Sequence, residues 1–282
     1  MPQMWVRNAV AEGIGAFVLT FVALMTVTTG DITPYAVAQG LTILALVAAL
    51  GHVSGGHFNP AVTLAFLLGK RIDVVGASIY CAAQLIGGIL AALTVLLTLS
   101  RDTVAAGVPV PGTEGDLNIF GAIVIEAVAV FVVVLVVLGT IVDQRAPLSV
   151  YPFAIGLAYA AGIFAIGGFT GGALNPARAF GPAVVGGEWE GIASWLIGPL
   201  AGAVLAWLLF EFVIARPVDE EDMLEEAEPQ PARIADDGRI PGEPAAEGEE
   251  KPQEKPRGPQ QPPPPPPASK DLPASHKGLL DQ

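Results

Sequence analysis

Two copies of one tripeptide, Asn59-Pro60-Ala61 and Asn175-Pro176-Ala177, are the residues of this chain whose type and spacing best suit chemistry. Asn caps a helix by accepting a backbone N–H at its side-chain oxygen, and Pro suits the first helical position because it has no N–H to leave unpaired. The side-chain NH₂ of a capping Asn remains a hydrogen-bond donor. Each triplet therefore predicts a helix start that presents a donor.

The helices that follow the triplets are predicted to be short. The apolar run from Ala61 to Gly69 ends at Lys70-Arg71 and can rise only about 13 Å, roughly half of a hydrocarbon core of about 30 Å. Two such half-helices, entering from opposite faces, would span a membrane together and meet at its middle. Because each directs its positive N-terminal end there, we predict a donor-rich, positive site.

The composition indicates a polytopic membrane protein. Of the 282 residues, 52% are hydrophobic and 15% are charged, which is too apolar for a soluble domain of this length. Six apolar runs are long enough to cross a membrane, at roughly 8–29, 34–53, 74–99, 119–141, 149–168 and 192–215. We therefore predict an all-α membrane fold with six spanning helices and two half-helices.

The two halves of the predicted transmembrane domain, residues 1–216, repeat each other. Glu12 precedes Asn59 by 47 residues, and Glu126 precedes Asn175 by 49. The repeated unit, about 1–100 and again 119–216, has three spans, so the second copy must lie inverted. We expect the two Glu side chains, which are costly inside a span, to accept hydrogen bonds from the non-helical backbone before each triplet; a proton relay is the alternative.

Basic residues beside the spans predict the orientation, because Lys and Arg favour the cytoplasmic side. Of the six basic residues beside the spans, five lie on one side of the predicted membrane: Arg7, Lys70, Arg71, Arg145 and Arg216. The sixth, Arg101, lies on the other side. Both termini are therefore expected in the cytoplasm. One Cys and no N-glycosylation sequon favour a bacterial inner, or plasma, membrane.

Residues 217–282 are predicted to form a disordered, acidic, proline-rich cytoplasmic tail. They hold 16 acidic and 7 basic residues, which accounts for most of the net charge of −13, and six consecutive prolines at 262–267. Such a segment has too little apolar surface to offset the entropy of ordering. We expect a solvated tail, with docking of a proline-recognising module as the weaker alternative.

The other residue types give little support to catalysis or metal binding. Three scattered His and one Cys make no credible metal site, and no nucleophile has an evident base. An ion-coupled transporter would need carboxylates or hydroxyls at the centre, where this chain has amides. We therefore expect no enzyme activity, no metal, no cofactor and no nucleic-acid partner.

The segments from Ser54 to Thr63 and from Gly171 to Arg178 resemble the two signature loops of the aquaporin, or major intrinsic protein, family. The resemblance implies six tilted helices, two half-helices and a homotetramer with one pore per subunit. It implies a passive channel that conducts water and excludes protons and ions, with glycerol, ammonia, hydrogen peroxide or metalloid acids as alternative solutes. Backbone carbonyls are expected to line the pore at Gly55, Gly56, His57, Phe58, Gly171 and Ala173. The His57 imidazole is expected to be packed away from it, with pH gating as the alternative.

The resemblance also places a constriction at four residues, Gln39, Ile163, Gly172 and Arg178. Strict water channels of that family have Phe, His, a small residue and Arg at these four positions. This chain keeps only the small residue and the Arg, so the resemblance implies a wider opening. Arg178 is expected to line the pore as a donor and cation barrier, since a buried Arg in a span is costly.

The residues at two positions that follow the second triplet favour water over glycerol as the permeant. Glycerol-conducting members typically carry Asp directly after the Arg and a basic residue four positions later, whereas this chain has Ala179 and Ala183.

Overall fold

The computed structural model describes residues 2–112, 117–143, 145–147 and 149–215. Within these ranges it consists of helices and loops, without a strand. The predicted tail lies outside the described residues, as does Arg216. In chain order the helices are α1 (Pro2–Val27), α2 (Ile32–Ser54), α3 (Pro60–Leu68), α4 (Val74–Thr98), α5 (Arg101–Ala106), α6 (Ile119–Val137), α7 (Tyr151–Thr170), α8 (Pro176–Gly186) and α9 (Ile192–Leu209).

Six helices in the described part of the chain, α1, α2, α4, α6, α7 and α9, are long and apolar enough to cross a membrane. Two of them continue as π-helical turns, α6 through Leu138–Val142 and α9 through Phe210–Ile214. The predicted all-α class with six spans is confirmed. The largest difference is at α1, which begins at Pro2 rather than near residue 8, because a proline in the first turn costs no hydrogen bond.

The two half-helices, α3 with 9 residues and α8 with 11, begin directly after Asn59 and Asn175. They contact each other and run to opposite ends of the bundle. We name these ends after residues in their loops. α3 runs toward the Arg71 end, and α8 runs toward the Asp31 end, which also carries α5.

Close helix contacts repeat between the two halves. A Cβ atom on Gly87 of α4 would lie 2.2 Å from the Gly13 carbonyl oxygen of α1, and one on Gly202 of α9 would lie 2.2 Å from the Ala127 oxygen of α6. The α1–α4 pair thus packs as the α6–α9 pair does. Glycine at both crossings lets the backbones approach more closely than any other residue would allow.

The outward surface of the bundle is apolar. Large side chains that are half exposed or more occur on most of the long helices, including Val10, Leu97, Phe120, Leu157 and Phe212. A helix bundle that exposes such residues all round has the surface expected against lipid.

Charged side chains at the Arg71 end tie the loops to the last span. Arg71 pairs with Glu211 at 2.9 Å, and the Arg145 guanidinium donates to the Ile214 carbonyl and to Asp143. The hydrogen bonds from Arg145 lower the pKa of the Asp143 carboxyl to about 2. These basic residues therefore share one end of the bundle.

The candidate pore

Each Asn of the two triplets caps its half-helix. The Asn59 side-chain oxygen accepts from the Ala61 N–H at 2.9 Å. The Asn175 oxygen accepts from the Ala177 and Arg178 N–H groups at 2.9 and 3.3 Å. Both Asn residues have extended backbone, as the residue before a helix does. These are the hydrogen bonds that the sequence predicts for Asn before Pro.

The two Asn side chains also connect the halves of the chain to each other. Asn59 Nδ2 donates to the Leu174 carbonyl at 2.9 Å, and Asn175 Nδ2 donates to the Phe58 carbonyl at 2.8 Å. Each carbonyl belongs to the residue directly before the other Asn. This reciprocal pair brings both amides to one place, although 116 residues separate them in the sequence.

We expected each capping Asn to keep its NH₂ group as a donor, and the structure shows that part of this capacity is already used. One N–H of each amide is spent on the opposite loop, so each amide keeps one further N–H as a donor. The accepting residues, Phe58 and Leu174, have positive φ of 50° and 53°. A left-handed conformation is costly for such side chains and persists only where the surroundings impose it.

The two buried Glu residues support the loops that lead into the triplets. Glu12 accepts from the backbone N–H groups of His57 and Phe58, and from the side chains of Ser54 and Gln84. Glu12 therefore ties α1 to the backbone that leads into the first triplet.

Glu126 holds the second loop in the same way. It accepts from the N–H groups of Ala173 and Leu174 and from the Thr170 hydroxyl. It has no counterpart to Gln84 among its hydrogen-bond partners in the described residues. The two networks are therefore equivalent at the backbone and differ in one side chain.

Glycine sets the path of both loops. Gly55 and Gly56 have φ of 91° and 67°, and Gly171 and Gly172 have φ of 77° and 58°. Only glycine adopts two such left-handed residues in succession at little cost. The chain can therefore leave α2 and α7 sharply and reach the Asn residues as non-helical backbone.

Three of the six carbonyls that we expected to line a lumen accept hydrogen bonds within the protein. Phe58 accepts from Asn175 Nδ2, Gly171 from the Tyr35 hydroxyl, and Ala173 from the Asn175 N–H. A carbonyl oxygen has two lone pairs, so each keeps one for a solute. That these carbonyls line a lumen stays a prediction.

The four residues of the expected constriction are all in the interior. Ile163 and Gly172 are neighbours, because a Cβ atom on Gly172 would meet the Ile163 side chain at 3.4 Å. Gln39 is fully buried, and its Nε2 donates to the Tyr35 carbonyl one turn earlier in α2. Its Oε1 has no partner among the described residues.

Arg178 is 1% exposed, and its three guanidinium nitrogens make no hydrogen bond to any residue that the structure describes. Its Cζ atom lies 5.5 Å from the centre of the Tyr35 ring, within the range of a cation–π interaction. Sequence reasoning missed Tyr35. The signal was its position four residues before Gln39, which puts both on one face of α2.

His57 is packed on its own half of the bundle. Its Nδ1 lies 3.1 Å from the Thr63 hydroxyl, and its ring centre lies 4.3 Å from that of Phe66 and 5.2 Å from that of Tyr80. Thr63, Tyr80 and Gln84 were not singled out from the sequence. Among the described residues, no group of three or more His, Cys, Asp or Glu could hold a metal ion.

Comparison with known proteins gives matches over most of the described chain. The family model described as "Major intrinsic protein" matches residues 2–210. A "Probable aquaporin TIP3-2" of Oryza sativa subsp. japonica is 40% identical over 222 residues, which cover 74% of this chain and 82% of the relative. "Aquaporin-4" of Bos taurus is 36% identical over 199 residues, 70% of this chain and 61% of the relative.

A solved structure shares the fold. The X-ray structure of the aquaglyceroporin from Plasmodium falciparum superposes with a TM-score of 0.66 at 22% identity, and the match covers 75% of this chain and 97% of that one.

Proposed function

Because this chain belongs to the major intrinsic protein family, and is therefore a multi-pass membrane channel for water or small solutes rather than an enzyme, we propose that water is its main permeant. In this proposal water moves passively down osmotic gradients, and protons and ions are excluded. The channel domain is residues 1–216, and residues 217–282 are an acidic cytoplasmic tail.

The observation that carries the proposal is the reciprocal bonding of Asn59 and Asn175. It brings two amide donors and two half-helix N-termini to one point. Each N-terminus carries roughly half a positive elementary charge. A water molecule at this point accepts from the remaining amide N–H groups and turns its own hydrogens away. That orientation interrupts the hydrogen-bonded chain along which protons would move, which is the barrier described for aquaporins in general.

Arg178 supplies a second barrier in this proposal. Its guanidinium is buried and makes no ion pair with a residue in the described ranges. A fixed charge in a low-dielectric passage repels cations far more strongly than the same charge in bulk water. Its donors remain available to a passing neutral solute.

The second candidate function is facilitated passage of glycerol or another small neutral solute. Gln39 and Ile163, in place of an aromatic ring and an imidazole, favour it. Ala179 and Ala183 favour water instead; both are fully buried and pack with Trp195 rather than presenting a polar group. Water as main permeant with slower passage of glycerol agrees with both observations.

We further propose a homotetramer in the plasma membrane with both termini in the cytoplasm. The apolar perimeter supports placement in lipid. Arg71 and Arg145 both contact the last span at one end, while Arg101 bonds the Gly186 carbonyl at the other. This separation supports a cytoplasmic Arg71 end.

Stopped-flow light scattering of proteoliposomes tests the proposal. Vesicles with the full chain should shrink much faster under a sucrose gradient than protein-free vesicles, and should re-swell slowly under glycerol or urea. A sucrose response equal to that of empty vesicles would refute the water channel. Glycerol entering as fast as water would favour the second candidate.

A further inference from the structure

The charge of Arg178 is compensated by an aromatic ring rather than by a carboxylate. Burial of an unpaired cation is expensive, and the face of a tyrosine is one of the few neutral groups that offsets part of this cost. Tyr35 offers that face at 5.5 Å. The guanidinium and the ring therefore lie together as one unit in the interior of the bundle.

The Tyr35 ring is held at both of its ends. Its backbone belongs to α2, and its hydroxyl donates to the Gly171 carbonyl at 3.1 Å, which links α2 to the second loop. The side chain is 6% exposed. A ring fixed at two points cannot turn aside without breaking the hydrogen bond to Gly171.

Tyr35 also faces a cavity at the Asp31 end. The cavity has a volume of about 280 Å³ and is lined by residues that include Asp31, Gly107, Gly168 and Gly171 together with Tyr35. Arg178 does not line it. Tyr35 therefore borders this cavity and also contacts the Arg178 guanidinium.

Two of the expected constriction residues, Gln39 and Ile163, do not supply an aromatic ring to the constriction. Gln39 spends its amide nitrogen on the Tyr35 carbonyl, and Ile163 packs beside Gly172. Neither presents an aromatic ring. Tyr35, one helical turn closer to the Asp31 end than Gln39, presents one directly to Arg178.

We propose that Tyr35 is a specificity-determining residue of the pore. Its ring, in contact with the Arg178 guanidinium, forms part of the wall of the constriction beside it. There it limits the passage of hydroxylated solutes larger than water, and glycerol is the probe. The bond to Gly171 holds the ring in that position. This inference rests on the proposed function, because it assigns the size limit of the same pathway.

The test compares water and glycerol permeability in proteoliposomes for the full chain and three variants. Tyr35→Ala removes the ring, Tyr35→Phe removes only the bond to Gly171, and Tyr159→Phe is the matched control. Tyr159 is equally buried, and its hydroxyl makes no hydrogen bond to a described residue. Tyr35→Ala should raise the glycerol-to-water permeability ratio by about tenfold, the scale on which one missing group changes discrimination at a tight site. Tyr35→Phe should raise it less, and Tyr159→Phe should leave it unchanged.

An unchanged ratio in a Tyr35→Ala channel that still conducts water would overturn the inference. If that variant does not insert, Tyr35→Trp, which adds bulk and keeps an aromatic face, must lower the ratio for the inference to survive. A wild-type chain that does not conduct water refutes the proposed function instead, so the two failures are distinguishable.

Discussion

At the scale of single residues, Arg178 combines full burial with a charge that no carboxylate in the described residues neutralises. Arg178→Val should leave water permeability within about twofold of the wild type and should raise proton or monovalent-cation leak, because the fixed charge in a poorly screened passage is lost. Leak is measured with a pH-sensitive dye in proteoliposomes at matched protein density.

Arg101→Val is the control for this change. Arg101 is exposed, and its one side-chain hydrogen bond to a described residue is to the Gly186 carbonyl, so its loss should not alter the leak. Equal proton conductance in Arg178→Val and in the wild type would show that Arg178 is not part of the barrier.

Glu12 and Glu126 allow a second prediction at this scale. Each carboxylate oxygen accepts at least one backbone N–H, from His57 or Phe58 in the first half and from Ala173 or Leu174 in the second. In Glu12→Gln or Glu126→Gln, one oxygen becomes an NH₂ group, so one buried N–H loses its acceptor whichever way the amide turns. The expected cost is about 1–3 kcal/mol of stability for each change.

Thermal unfolding of the purified protein in detergent measures this cost. Thr94→Val, which removes an exposed hydroxyl bonded within its own helix, should lower the midpoint far less. Midpoints of the two Gln variants equal to that of the wild type would show that the carboxylates do not support the loops. A change confined to proton conductance would favour the relay alternative.

At the scale of the helices, the second half-helix, α8, crosses α4 at a point where both helices have glycine and therefore no side chain. A Cβ atom on Gly181 of α8 would lie 2.2 Å from the carbonyl of Gly88 in α4, and one on Gly88 would lie 2.5 Å from the Ala177 carbonyl. Gly181→Ala therefore has to push α8 away from α4. Overpacking of this kind costs about 1–3 kcal/mol, and it displaces the helix that Asn175 caps and that carries Arg178.

We expect Gly181→Ala to lower both the melting midpoint and the water permeability per channel. Gly139→Ala is the matched control, since a Cβ atom on Gly139 meets nothing within 4 Å. If Gly181→Ala behaves like Gly139→Ala in both measurements, the close crossing does not position the half-helix.

For the chain as a whole, the family match covers residues 2–210 and leaves out the C-terminal segment. Deleting residues 220–282 should leave stability, oligomeric state and water permeability nearly unchanged, because that segment has too little apolar surface to add a core. Light scattering of the purified protein gives the oligomeric state, and stopped-flow gives the permeability. A large loss of permeability per inserted channel would show that the tail regulates the pore.

The sequence alone determined the features that depend on local chemistry and on length. Apolar runs of spanning length predicted six of the helices, and Asn before Pro predicted where both half-helices start. In each half a Glu precedes the Asn by nearly the same number of residues, and this repetition of a three-span unit predicted the inverted repeat. These predictions succeeded because backbone hydrogen bonding within a membrane permits little besides helices, and because capping involves residues close in sequence.

Which groups meet across the repeat follows from the packing of the helices and could not be read from the sequence. The bonds from Asn59 to Leu174 and from Asn175 to Phe58 join residues 115 and 117 positions apart. The contact of Tyr35 with Arg178 likewise depends on how α2 faces α8. Helical period places Tyr35 on the face of Gln39, but the rotation of α2 toward a partner follows from the packing of every helix at once. Sequence offsets therefore selected four buried residues, and only the packing of the helices showed that the Tyr35 ring lies against one of them, Arg178.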